Sequence, residues 1–138
     1  MPYQKTDRLS TDHIQQLHRL YQNEWWTRER TLQDVQVMVQ HSDFIFGVLE
    51  IENSRLVGFA RVLTDRVFKA FIFDVIVAEG YRNEGIGKEL MQWILEHAPL
   101  KSVAHFELYC LPEMAPFYEK WGFSSDLGRL TLMRRAQK

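Results

Sequence analysis

The sequence predicts a mixed α/β domain, and three observations point there. Residues 44–77 carry three successive runs rich in β-branched and aromatic residues, separated by turn signals. Ahead of them, Ile14, Leu17, Leu20 and Tyr21 recur at helical spacing. Behind them, Ile86, Leu90 and Ile94 do the same. Helices and strands interleaved in this way, with no repeat, linker or low-complexity stretch, describe one domain over residues 1–138 in the order αα-βββ-α-β-α-β.

Ser10-Thr11-Asp12 supplies an N-cap for a first helix running to about Asn23. Residues 24–30 show no period and form a loop. Thr31-Leu32-Gln33-Asp34 resembles a capping box with Asp in the Glu place, opening a second helix to Gln40. Strands follow over 44–51 and 56–63. Glu52-Asn53-Ser54 turns between them, so the two pair as an antiparallel hairpin. The run 70–77 is almost wholly apolar and reads as a central strand buried on both faces. A helix over 85–97 presents Ile86, Leu90, Met91, Ile94 and Leu95, and Pro99 stops it. A strand over 103–109 and a short helix over 112–121, closed by Gly122, come next. A last strand pair is expected over 123–133, turning at Asp126-Leu127-Gly128, and a weak strand near residues 1–5.

Composition narrows the function. A formal net charge of -1 gives no basic face for nucleic acid or an anionic membrane. No apolar run reaches membrane-spanning length, and the N-terminus lacks a signal-peptide core. One cysteine cannot close an internal disulfide, which suits a reducing compartment, and a cytoplasmic protein is expected. Cys110 reads as a buried, inert thiol. The five histidines have no metal-ligand spacing, so no metal is expected.

The informative stretch runs from Phe71 to Lys88. A strand leads into a glycine-containing loop that opens an amphipathic helix, which aims several backbone N–H groups and the positive end of a helix dipole at one point. Such a junction is suited to a phosphate or pyrophosphate, and Arg82 and Lys88 flank it. The dinucleotide fingerprint fails, because Leu90 stands where its third glycine belongs. A P-loop fails too, because Ile86-Gly87 replaces its Lys-Ser/Thr after Gly80 and Gly85. Asp74 interrupts the apolar strand. A carboxylate there needs hydrogen bonds or a cation, and it serves either as a base or water-positioner, or as a structural group tied to backbone N–H groups or an arginine.

Arg82-x-x-Gly85-x-Gly87 after a strand resembles the acyl-CoA-binding loop of the GNAT N-acetyltransferase superfamily. Ala115-Pro116-Phe117-Tyr118-Glu119-Lys120-Trp121-Gly122-Phe123 resembles that family's C-terminal signature, and Leu56-Val57-Gly58-Phe59-Ala60-Arg61 its hairpin strand. The resemblance spans residues 44–123 and extends to compact bacterial-type members through Trp25-Trp26-Thr27-Arg28-Glu29-Arg30. It implies a mostly antiparallel sheet, flanked by helices, with a V-shaped splay between the strands at 70–77 and 103–109. It implies acetyl-CoA held along Val75, Ile76 and Val77, the pantetheine pairing with the backbone of Val75 and Val77 as an added strand. Arg82, Asn83, Glu84, Gly85, Ile86, Gly87 and Lys88 would cradle the pyrophosphate. Tyr118 matches the general acid that protonates the departing thiolate, with Asp74 as the candidate base. Trp25, Trp26 and Arg30 would face the acceptor, a primary amine of a small molecule or peptide, and a homodimer is a common assembly. The competing expectation is a non-catalytic acyl-CoA-binding regulatory module.

Overall fold

A computed structural model describes residues 2–137. Two compact units make up the chain, residues 1–108 and residues 109–138.

The first unit is a five-stranded sheet in sequential order with helices on both faces. Its strands are β1 (Tyr3–Thr6), β2 (Phe44–Glu50), β3 (Arg55–Thr64), β4 (Lys69–Val77) and β5 (His105–Leu108). The first four run antiparallel to their neighbours and β5 pairs with β4 in parallel. The crossover through a helix permits the parallel β4–β5 pair, whereas short turns join β2 to β3 and β3 to β4 as antiparallel neighbours. That expected weak N-terminal strand forms, shifted to Tyr3–Thr6.

Helices α1 (Thr11–Gln22) and α2 (Leu32–His41) start where the sequence places them. The Ser10 hydroxyl accepts from His13 N–H at 3.0 Å and Thr31 Oγ1 from Asp34 N–H at 3.0 Å, satisfying donors that the first turn leaves unpaired. Leu17, Tyr21 and Val35 from these helices pack with Ile45, Leu49, Leu56, Phe59 and Ile76 of the sheet.

Helix α3 (Ile86–Glu96) covers the opposite face with Ile86, Leu90, Met91 and Ile94. Its approach depends on Gly58, where a Cβ would lie 2.6 Å from Ile86 Cγ2 and 3.3 Å from Val48 Cβ. Phe46 meets Trp93 edge-on at 4.8 Å on the same face. A 3-10 turn at Ala98–Leu100 returns the chain to β5.

β4 differs from its expected burial on both faces. Exposure alternates along it, with Ala70, Ile72, Asp74 and Ile76 buried and the residues between them partly open. Its register with β3 also slips. Arg61 faces Phe73 and Phe59 faces Ile76, so Asp74 and Val75 together oppose Ala60. This is a β-bulge, and Asp74 takes a left-handed φ of 58° within it.

In the second unit a 3-10 turn (Pro112–Met114) leads into α4 (Ala115–Glu119), which is shorter than the helix expected over 112–121. Phe123 N–H returns to Tyr118 C=O at 3.4 Å and Gly122 N–H to Glu119 C=O at 3.0 Å. With Gly122 at φ 90° this is a Schellman stop, closed by the Tyr118–Phe123 ring contact. The strand pair expected over 123–133 does not form; the segment is irregular, with Leu130 73% and Met133 86% exposed. β-Formers become a strand only where a ladder partner receives them. The glycine turn is present, with Gly128 at φ 67° and its N–H on Asp126 Oδ1 at 2.9 Å. Cys110 is exposed, against expectation, because the strand ends at Leu108 before reaching it.

Candidate functional site

The end of β4 is open on one side. Its pairing with β5 stops at Ile72↔Leu108, so among the described residues Val75 to Val77 have no strand partner on that edge. Ala78 N–H donates to Val57 C=O at 2.8 Å, which turns the even-numbered backbone groups here toward β3. The groups of Val75 and Val77 therefore face the open edge. The Val77 carbonyl accepts from Arg82 Nε at 3.1 Å, and Arg82 Nη2 reaches Glu24 at 2.7 Å. A cavity of about 150 Å³ lies beside this edge, lined by Leu20, Asn23, Glu24, Ile76, Val77 and Arg82. A larger one of about 500 Å³, bordered by Asp7, Asp43, Phe44, Trp93 and His97, contains none of the expected site residues.

The loop from Glu79 to Gly85 turns through three left-handed residues, Gly80, Asn83 and Gly85. Gly85 caps α3 with a φ of 86° and no side-chain hydrogen bond. The first intrahelical bond is Glu89 N–H to Gly85 C=O, so the N–H groups of Ile86, Gly87 and Lys88 lie ahead of the ladder. A Cβ on Gly85 would meet nothing within 4 Å, which leaves open space over this corner. These features fit a pyrophosphate: uncapped donors, a helix-dipole end and clear approach. Two tyrosines brace the loop. Tyr3 donates to Glu84 at 2.5 Å and Tyr81 to Glu50 at 2.9 Å. The Glu84 hydrogen bond lifts the Tyr3 phenol to about 12.

One residue before the open edge, Asp74 is a charge hub. Its Oδ2 accepts from Arg30 Nη1 at 2.7 Å, Arg61 Nε at 2.8 Å and the Tyr21 hydroxyl at 3.0 Å, and its Oδ1 from Arg30 Nη2 at 3.3 Å. Of the alternatives open in the sequence, the arginine-tied carboxylate is the one formed. Burial pushes the Asp74 carboxyl up, but the two guanidiniums outweigh it and hold it below the ordinary carboxylate value. Burial first, then the neighbouring Asp74 charge, pushes the Tyr21 phenol well above its usual value.

Arg30 is fixed from its own backbone, since its carbonyl accepts from the Gln22 amide at 3.1 Å and lies 3.1 Å from His18 Nε2. Thr27 anchors the same loop through a hydroxyl bond to Tyr21 C=O at 2.9 Å. Trp25 and Trp26 project from it, 68% and 41% exposed. Sequence reasoning missed Tyr21, Tyr3 and Glu24. A signal existed for the first: a lone carboxylate in an apolar strand demands donors, and Tyr21 falls on the buried stripe of α1.

In the second unit Tyr118 is buried, its ring edge-on to Phe117 at 5.0 Å. Burial, with a smaller contribution from Cys110, raises its phenol to about 12. No helix among the described residues is long and apolar enough to cross a membrane, and no group of three or more His, Cys, Asp or Glu gathers there as a metal site would require.

Comparison with known proteins bears on this arrangement. The uncharacterized N-acetyltransferase ycf52 of Porphyra purpurea is 30% identical over 115 residues, covering 82% of this chain and 66% of the relative. The chloroplastic GCN5-related N-acetyltransferase 1 of Arabidopsis thaliana is 36% identical over 92 residues, covering 67% and 47%. The chain thus spans less than two thirds of the length of these curated relatives. A crystal structure of a Xanthomonas campestris pv. campestris protein assigned to the GNAT acetyltransferases superposes with a TM-score of 0.83 at 28% identity, covering 98% of this chain and 93% of the other. The model of the acetyltransferase (GNAT) family matches residues 11–123, from the start of α1 through the open strand edge and the glycine loop ahead of α3 to Phe123. Most of the chain lies inside that match, and the protein belongs to the GNAT acetyltransferase family.

Proposed function

We propose that residues 1–138 work as one N-acetyltransferase domain that moves an acetyl group from acetyl-CoA to a primary amine of a small molecule or peptide. The observation that carries this is the unpaired β4 edge at Val75 and Val77 running into the uncapped start of α3. Backbone donors and acceptors on an open edge suit an extended arm bearing amides, and the helix start suits the diphosphate that follows. Val75, Ile76 and Val77 would hold the arm. Residues Arg82, Asn83, Glu84, Gly85, Ile86, Gly87 and Lys88 would hold the diphosphate. The Arg82 bond to the Val77 carbonyl must open for that arm to pair there.

Acetyl-CoA supplies the activated acyl carbon: the amine nitrogen bonds to it, the C–S bond breaks, and the proton lost by the amine balances the thiolate released as thiol. Tyr118 is the proposed donor of a proton to that sulfur, a role resting on the family resemblance and on a phenol that stays protonated to about 12. Asp74 is proposed to act by holding Arg30 and Arg61, since a carboxylate so paired is a poor base. Trp25, Trp26 and Arg30 would border the acceptor. A cytoplasmic setting and a homodimer complete the proposal.

The test is acetyl-CoA with a mixed amine library and mass detection of products, alongside calorimetry with CoA. Acetylated product and saturable CoA binding support the enzyme. Binding without product from any amine or peptide terminus favours the non-catalytic acyl-CoA module.

A further inference from the structure

Around Asp74 the charges do not balance. Two guanidiniums, Arg30 and Arg61, converge on one carboxylate, leaving one positive charge in excess. The side chains are 31%, 12% and 4% exposed, for Arg30, Arg61 and Asp74 respectively, so solvent screens this excess weakly. The fourth member, Tyr21, is buried and donates to the same oxygen, so it adds no negative charge. Glu24, on the preceding loop, is engaged by Arg82.

The donors are also in surplus. Arg61 uses only Nε on the carboxylate, and its Nη groups have no hydrogen-bond partner among the described residues. Its guanidinium lies over the Phe73 ring at 4.7 Å, and that of Arg30 over Tyr21 at 4.7 Å. Two pre-oriented forks with spare N–H groups, beside the strand edge proposed for the acyl arm, have the geometry that oxyanions seek.

We propose that Arg30 and Arg61 form an oxyanion subsite for the acceptor, which is a small amine carrying a carboxylate or phosphate group. This rests on the acetyltransferase reading above. Asp74 is the positioning residue that spaces the two guanidiniums, and an arriving anion offsets the remaining charge. Arg61 belongs to this subsite by contact with Asp74, and the bulge that lets Asp74 reach both arginines is what builds it.

The experiment uses matched amines at saturating acetyl-CoA: an α-amino acid against its amide, and an aminoalkyl phosphate against the parent amino alcohol. Thiol release gives kcat and KM, and thermal shift at saturating CoA gives binding without turnover. Each anionic member is expected to exceed its neutral partner in kcat/KM by about 10- to 100-fold, mainly through KM. The better of the two pairs identifies carboxylate or phosphate. Arg30→Gln, at the most solvent-open corner, should erase that preference, and Arg30→Lys should restore part of it. Equal or better turnover of the neutral amines overturns the proposal. So does an Arg30→Gln loss that falls alike on every amine, which is what a merely structural brace would give. If no amine turns over and none stabilises the CoA complex, it is likewise overturned. A protein whose Tm ignores CoA removes the acetyltransferase reading itself.

Discussion

Replacing Asp74 by Asn separates the charge at the bulge from its shape. Asn keeps the volume and tolerates the left-handed φ of 58°, whereas Ala would add backbone strain to the same measurement. The change leaves Arg30 and Arg61 without their shared anion. Breaking a buried pair by deleting one partner costs roughly 3–5 kcal/mol. Arg30 is nearly one third open to solvent, which trims its share, so a loss of about 3 kcal/mol is expected. For a chain of this length that corresponds to a fall in Tm of roughly 10 °C, read by circular dichroism at pH 7. The acid limb gives a second check. The folded-state carboxyl is held below its ordinary value, so its contribution is present above the unfolded pKa and lost as pH falls through the folded one. The gap between wild type and Asp74→Asn should therefore close below about pH 4. A Tm change within about 2 °C at pH 7, or a gap that widens on acidification, refutes the argument.

Tyr118→Phe should cut turnover by about 100-fold while leaving CoA affinity unchanged by calorimetry; an equally active variant removes Tyr118 from proton transfer. Because its phenol is raised to about 12, ionisation of Tyr118 should produce no alkaline loss of rate below about pH 11, and a rate that falls with a lower pKa belonging to Tyr118, absent in Tyr118→Phe, contradicts this. Gly87→Val should weaken CoA binding by about tenfold or more with little change in Tm, since the residue lies among the uncapped N–H groups of α3; unchanged affinity counts against the loop. Gly58→Ala should destabilise by about 1–3 kcal/mol, because its Cβ would stand 2.6 Å from Ile86 Cγ2. Adding Ile86→Ala should recover part of that loss in urea melts, and no recovery would show that the clash lies elsewhere.

Local signals carried the helices and the glycine loop ahead of α3 into view. Ser10 and Thr31 cap helices through bonds to residues three positions on, and Gly85 adopts the left-handed turn that its neighbours in sequence suggest. What stayed hidden depends on distant pairing. The bulge at Asp74 is a mismatch of two residues against Ala60, and no pattern within β4 announces which register β3 will choose. For the same reason the strand pair expected over 123–133 failed: its alternation and glycine turn are present, but a ladder partner is not specified locally. Cys110 was judged as a hydrophobe by type, yet its exposure follows from β5 ending two residues earlier. The arginine partners of Asp74 lie 44 and 13 residues away, one on a loop, so only the need for a cation was legible.

The hydroxyl of Tyr3 fastens the first strand to Glu84, 81 residues further along the chain. Shortening the amino end past that tyrosine would therefore slacken the loop that opens α3 even though the backbone there is untouched. Fusions placed ahead of Pro2 ought to be judged by the proposed nucleotide-thioester binding, not by solubility alone.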